Sequence, residues 1–270
     1  MKNLVWSGLG YDFDEHGNVW FVSYWNSFLC CYSIKERKLA RIEVVKDKSS
    51  QNAFLFSDVK VVGNEIILVP ANAFSIYIYD ITKREFTEIG IQGSLREQGN
   101  KFMSCVLFHD ELYMMPYSYP CILAINRFSK KVREVVNFRG MIELEGGLSS
   151  FRYSFCEAAN SLYLLSALTN KVLQFNMETE KVSIYSVGDL NDRYNTITNL
   201  SINKFAMFTQ NGECVIWDME EKSCSKFETS LTEFGRVKAD DLRGTAFTDS
   251  VRAGDFLYVF PNLSDKGICF

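Results

Sequence analysis

Histidine and proline are scarce in this chain, with only His16, His109 and four prolines among 270 residues. Chemistry that recruits several imidazoles, such as a histidine-ligated zinc, has little to draw on. No C-x-x-C pair occurs among the eight cysteines, which are scattered at 30, 31, 105, 121, 156, 214, 224 and 269. In a chain long enough to build its own core, that spacing reads as free buried thiols rather than a disulfide framework or a metal site. Cys30 and Cys31 fall on one predicted strand and point to opposite faces, so they do not share a metal. Nothing approaches the roughly 18 apolar residues of a membrane-spanning helix. The opening MKNLVWSGLGYDFDE also reaches Asp12 without the apolar run of a signal peptide. Both absences lead to the expectation of a cytoplasmic protein without a membrane partner. Charge is balanced too: 29 basic against 33 acidic residues give a net −4, with no general attraction for nucleic acid. G-x-S-x-G, P-loop and G-x-G-x-x-G motifs are missing, and no cofactor is implied.

What the chain has in quantity is apolar material, 47% of residues with 14% aromatic, arranged in a repeat. Six short runs superpose: VWF at 19–21, IIL at 66–68, LYM at 112–114, LYL at 162–164, FAM at 205–207 and LYV at 257–259. Their central residues, here called anchors, are Trp20, Ile67, Tyr113, Tyr163, Ala206 and Tyr258, separated by 47, 46, 50, 43 and 52 residues. Thirteen residues after an anchor come Ser33, Asp80, Asn126 and Asn176, with Asp218 at twelve; each is a turn former closing an apolar run. Pro70, Pro116 and Pro261 stand three residues after their anchors, where loss of a ladder donor ends a strand. Each unit therefore reads as four strands, A to D. In the second, FLFSDVKVV is A, IILV is B, SIYIYD is C and EFTEIGI is D. Sheets of this kind are apolar on both faces and must stack about an axis.

The predicted fold is all-β: a six-bladed β-propeller of four-stranded antiparallel blades. It forms one domain over 1–270, with blades near 7–45, 54–91, 101–138, 150–187, 194–229 and 244–270. IYIYDITKREFTEI resembles the third and fourth strands of a kelch blade, and CVIWDMEEKSCSKF those of a WD40 blade. Blade 1, DEHGNVWFVSYWNSFLCCYSIKERKL, is similar to the D-x-x-G-N-x-W blade of bacterial sensor propellers and of virginiamycin B lyase. The kelch double glycine is replaced by the prolines, and only Trp217-Asp218 forms a WD pair. The resemblance implies architecture, not a specific activity. The turn expected after Tyr258 would fall at position 271, so the last blade is read as three-stranded, closed by the N-terminus, or continued by a further segment.

Loop lengths divide the blades into two ends. The A-to-B and C-to-D turns are tight and charged, whereas D-to-A loops such as QGSLREQGNK, NFRGMIELEGGLSS and TSLTEFGRVKADDLRG are long. Binding residues concentrate on long loops. Both histidines sit in short turns at the other end, which disfavours a histidine-dependent triad, metal site or lyase on the long-loop face. Lys101, Arg152, Arg193 and Arg243 stand at or just before strand A in four successive blades. There they either converge on an anion or pair with Glu143, Glu145, Asp189, Asp192, Asp240 and Asp241 of the same loops. Trp25, Tyr117 and Tyr119, with Tyr24 and Phe74, fall in B-to-C loops, where rings stack on sugars, anchor a protein, or pack between blades. The functional expectation is a non-catalytic module that binds a protein or glycan ligand, with an anionic one included. The alternative is a carbohydrate- or peptide-active hydrolase or lyase using loop carboxylates.

Overall fold

The computed structural model describes residues 10–24, 26–48, 54–91, 99–142, 150–210, 212–227, 247–261 and 268–269. The chain divides into two compact units, 1–138 with 146–148 and 139–145 with 149–270. No helix occurs among the described residues, which are built from antiparallel sheets.

In the first unit, sheet 1 comprises β1 (Tyr11–Phe13), β2 (Asn18–Val22), β3 (Phe28–Ser33) and β4 (Lys38–Val44). Sheet 2 comprises β5 (Phe56–Val62), β6 (Glu65–Pro70), β7 (Ser75–Asp80) and β8 (Glu85–Gly90). Sheet 3 follows as β9 (Phe102–Phe108), β10 (Glu111–Pro116), β11 (Cys121–Asn126) and β12 (Val132–Asn137). The second unit repeats the plan. Its sheet 4 is β13 (Phe151–Ala158), β14 (Ser161–Ser166), β15 (Lys171–Asn176) and β16 (Lys181–Ser186). Sheet 5 is β17 (Tyr194–Ser201), β18 (Lys204–Thr209), β19 (Cys214–Asp218) and β20 (Ser223–Phe227). Sheet 6 has three described strands, β21 (Phe247–Ala253), β22 (Phe256–Pro261) and β23 (Ile268–Cys269). Closure of the last blade by the N-terminus involves residues 1–9, which lie outside the described residues.

The repeat register is visible in the ladders. Five anchors oppose the residue eleven further on, Trp20 with Cys31, Ile67 with Ile78, Tyr113 with Ala124, Tyr163 with Gln174 and Tyr258 with Cys269, and Ala206 opposes Ile216, ten further on. The turn formers act as their chemistry dictates. Asp80 Oδ1 accepts the amides of Thr82 and Lys83 at 3.0 and 2.8 Å, and Asn126 and Asn176 accept those of Ser129 and Thr179 at 2.9 and 2.8 Å. Asp218 takes two amides and Ser33 one in the same way. These turns then swing through the left-handed region at Arg37, Arg84, Lys130, Glu180 and Lys222, a costly conformation for residues with a Cβ.

Within each unit the sheets stack face to face. Trp20, Leu29, Ile66, Leu68 and Tyr79 fill the layer between sheets 1 and 2; Ile67, Ile78, Leu112, Met114 and Ile125 fill the layer between sheets 2 and 3. In the second unit, Tyr163, Leu165, Phe205, Met207 and Trp217 pack sheets 4 and 5, and Ala206, Phe208, Leu257 and Val259 pack sheets 5 and 6. Cys30 and Cys31 enter different clusters, as strand alternation requires. The first strands of neighbouring sheets meet one another, β1 with β5, β5 with β9, and β13, β17 and β21 mutually. Fourth strands such as β20 form the exposed outer edges. Tyr258 departs from the other anchors: it is exposed with Phe256 and Phe260, while Leu257 and Val259 face sheet 5.

Candidate functional site

The inner strands begin at the long-loop end, and most begin with a bulge. In β5, Phe56 opposes Pro70 and Asp58 opposes Val69, which leaves Ser57 as the extra residue. Met103, Asn195 and Thr248 occupy the same place in β9, β17 and β21, and β13 is irregular between Phe151 and Phe155. Each proline thus removes its ladder donor where a bulge already interrupts the ladder. A bulge re-aims side chains, and here it turns a belt of short polar groups toward the neighbouring inner strand.

In the first unit this belt is closed on itself. Ser57 Oγ donates to the Phe102 carbonyl at 2.7 Å, and the Asp58 carboxylate accepts the Ser104 hydroxyl and, at 2.8 Å, the Val59 amide. Gly10 lies so close that a Cβ there would stand 2.7 Å from the Asp58 Cα, so only glycine fits. Burial pushes the Asp58 carboxyl up to about 6, against the hydrogen bonds from Ser104 and Val59 and the charge of Lys60. Asp12 accepts the Val61 amide at 2.9 Å and lies 3.6 Å from Lys60 Nζ.

The second unit builds a related belt with loose ends. Ser154 Oγ donates to Asp249 Oδ1 at 2.9 Å and accepts the Ile197 amide at 3.2 Å, while Thr198 donates to the Ser250 carbonyl at 2.8 Å. Burial raises the Asp249 carboxyl. Beside them Asn195 is 4% exposed and Thr196 fully buried, yet both amide atoms of Asn195 and the Thr196 hydroxyl have no hydrogen-bond partner among the described residues. Each such group costs about 1–3 kcal/mol.

The residues expected from sequence fall in both units and differ in burial. Lys101 is wholly buried, its Nζ donating to the Ala71 carbonyl at 3.2 Å, and burial lowers its ammonium to about 8 against the charge of Asp47. Tyr119 is also interior, its ring 4.8 Å from that of Phe102. These two, read from sequence as ligand-facing, lie inside because the chain folds back here: the Tyr117 and Tyr119 amides both bond the Lys101 carbonyl. Tyr117 itself is half-buried. Arg152 donates through Nη2 to the Ala167 carbonyl at 3.0 Å, and Arg193 through Nη1 to the carbonyls of Leu190 and Asp192 at 3.0 and 2.8 Å. Trp25 and Arg243, with Glu143, Glu145, Asp240 and Asp241, lie outside the described residues.

Sequence reasoning missed Asp58, Asp249, Ser104 and Ser154, although a signal was present. All four stand nine residues before their anchors.

The short-turn end of sheet 1 carries the D-x-x-G-N-x-W motif, and its geometry explains those residues as a turn lock. Asp14 accepts the His16 amide at 3.0 Å, the Asn18 amide at 2.9 Å, the Asn18 side chain at 3.0 Å and the buried Trp20 indole at 2.9 Å. Gly17, at φ 75°, makes the turn possible. Burial works to raise the Asp14 carboxyl, but the bonds from Trp20, Asn18 and His16 prevail and hold it below the ordinary value. His16 projects into solvent 3.7 Å from Glu15, and His109 is exposed as well.

No family model and no curated protein matches the chain. Solved structures do, and they are β-propeller-like. The extracellular domain of the putative one-component system BT4673 from B. thetaiotaomicron is 15% identical over 96% of this chain and 33% of its own, with a TM-score of 0.67. Kluyveromyces lactis Hsv2 is 13% identical over 97% of this chain and 73% of its own, with a TM-score of 0.59. A streptogramin B lyase is 12% identical over 98% and 93%, with a TM-score of 0.57. The chain spans about a third of the length of the BT4673 structures. At these identities the likeness concerns fold alone. It corrects the expectation of a cytoplasmic protein, because this fold is shared with domains that stand outside the cell. Stacked apolar layers hold such sheets in either compartment, so the fold specifies neither. The chain's similarity is thus to β-propeller-like proteins as an architecture.

Proposed function

We propose that the six sheets are the blades of one β-propeller domain spanning 1–270, kelch- and WD40-like in strand pattern, and that it is a non-catalytic module binding a protein or glycan at its long-loop end. The observation that carries this reading is the uncompensated polarity of Asn195 and Thr196 at the start of an inner strand. Native proteins pair nearly all buried polar groups, and the exceptions concentrate where function demands them. Arg152 and Arg193 begin the inner strands of the same unit and supply donors for an acidic or hydroxyl-rich ligand. Tyr117 adds a half-buried ring to the first unit. The two carboxylates with raised affinity for protons, Asp58 and Asp249, each hold a serine hydroxyl, as structural acids do.

A glycan array and a protein pull-down with the full chain and with an Arg152→Ala, Arg193→Ala variant test the proposal. Capture of one glycan class or protein by the wild type and its loss in the variant is expected. Equal capture by both would overturn the assignment of these arginines. The hydrolase or lyase alternative draws on Asp58 and Asp249 as well, since catalytic acids also hold raised pKa values. Turnover of a captured glycan or peptide that disappears in Asp249→Asn would establish it over the binding module.

A further inference from the structure

A cleft of about 480 Å³ opens at the short-turn end of the first unit, between sheets 1 and 2. The buried Trp20 and Cys31 line it, together with the turn residues Asp14 and Glu36 of sheet 1 and Asn64 and Thr82 of sheet 2. Its volume lies within the range of small-molecule sites, roughly 300–1,000 Å³.

Most of its polar groups are already engaged. Asp14 is saturated by the turn lock, and Asn64 joins Asp80 and Thr82 at 2.9 Å each. Arg84 pairs with Glu43 at 2.7 Å, whereas Glu36 meets Lys38 at 2.7 Å through one oxygen of an exposed carboxylate and stays accessible at the rim. Arg41 is different. It is half-buried and lines the cleft, one guanidinium nitrogen donates to the Ile81 carbonyl at 3.1 Å, and no ion pair joins it to an acid among the described residues. A guanidinium has five donors in a rigid fork suited to a carboxylate. A plain anion would nevertheless meet the negative charge of Asp14, Glu15 and Glu36 in the same lining. A ligand carrying both signs would not.

We propose that this cleft binds a small zwitterion, an amino acid or short peptide, whose carboxylate pairs with Arg41 and whose ammonium faces Glu15 and Glu36 at the rim. The site is built in the first unit from other residues than those proposed to bind a protein or glycan, and stands independently of them. Nitrogen-15 NMR of the full chain, following the Trp20 indole N–H, tests this with a panel of free amino acids and glycylglycine against acetate and methylamine. At least one zwitterion is expected to shift that signal saturably, binding about tenfold or more tighter than acetate or methylamine. Arg41→Gln, which removes the guanidinium fork, is expected to weaken binding by about tenfold or more, as loss of a charge-assisted pair does. Glu36→Gln, an exposed rim change that keeps the fold whatever becomes of Arg41→Gln, is expected to weaken it several-fold. The proposal is overturned if no zwitterion moves the indole signal, if acetate binds as tightly, or if both variants bind unchanged. Arg152→Ala should leave this titration untouched, so the two sites fail or stand separately.

Discussion

The carboxylates at the two ends of these sheets are driven in opposite directions. At the short-turn end Asp80 is held low chiefly by the Lys83 amide and Asp218 by the Glu221 amide, and Asp14 by the bonds that overcome its burial. On the inner strands Asp58 and Asp249 are pushed up by burial that their hydrogen bonds do not offset. The same residue type is therefore an anionic acceptor for free turn amides in one place and a buried acid that holds its proton more tightly than usual in the other. The turn carboxylates are spent on their own backbone, whereas the buried Asn195 and Thr196 at the start of β17 have polar atoms without partners among the described residues.

Removing the lock should do the most damage. Asp14→Ala strips the acceptor from two amides, an asparagine side chain and the buried Trp20 indole, so urea denaturation should show a loss of about 3 kcal/mol. The pH dependence of the two ends should differ in sign. Asp58 titrates in the folded chain at about 6, above its ordinary 3.8, so between those values the folded state keeps a proton that the unfolded chain has released. Its contribution to stability should fall by about 3 kcal/mol as pH rises through that window and stay level above it. Asp14, held low, contributes stability at neutral pH that disappears as acid titrates it. Melting curves between pH 4 and 7 for the wild type and Asp58→Asn isolate the first effect, and persistence of the slope in the variant would assign it elsewhere.

A smaller change should erase the contrast between the two belts. Asn195→Ser places in β17 the residue that β5 carries as Ser57, so it should gain about 1 kcal/mol while weakening ligand capture at that end. An increase in stability without any change in capture would separate the buried amide from binding. The smallest effect is expected at the turn following Asp218. Lys222 sits at φ 50°, and Lys222→Gly should stabilise by about 0.5 kcal/mol in the same denaturation assay.

Much of this architecture is written in local pattern. The anchors and the turn formers at Ser33, Asp80, Asn126, Asn176 and Asp218 are set by chemistry that acts over a few residues, and the strands lie where alternation and turns place them. The site was harder to read because bulges break the period of two on which facing is inferred. Ser57 and Asn195 each take up an extra position, so the residues around them turn toward a neighbouring strand that no local pattern identifies. Lys101 and Tyr119 show the same difficulty from the other side. A lysine before a strand and a tyrosine in a loop read as surface, but a backbone fold-back carries both inside. Asp58 and Asp249 needed the repeat register, nine residues before the anchor, rather than any motif of their own.

The strand order has a kinetic consequence. Every described sheet pairs only strands that follow one another in the chain, so each ladder closes over its own short connection. An all-β protein is ordinarily slow to fold because its pairings join distant segments. Here a single stretch of about one repeat contains all the pairings of its sheet, and only the packing between layers waits for a neighbour. Folding can therefore nucleate in any repeat and spread along the chain in either direction.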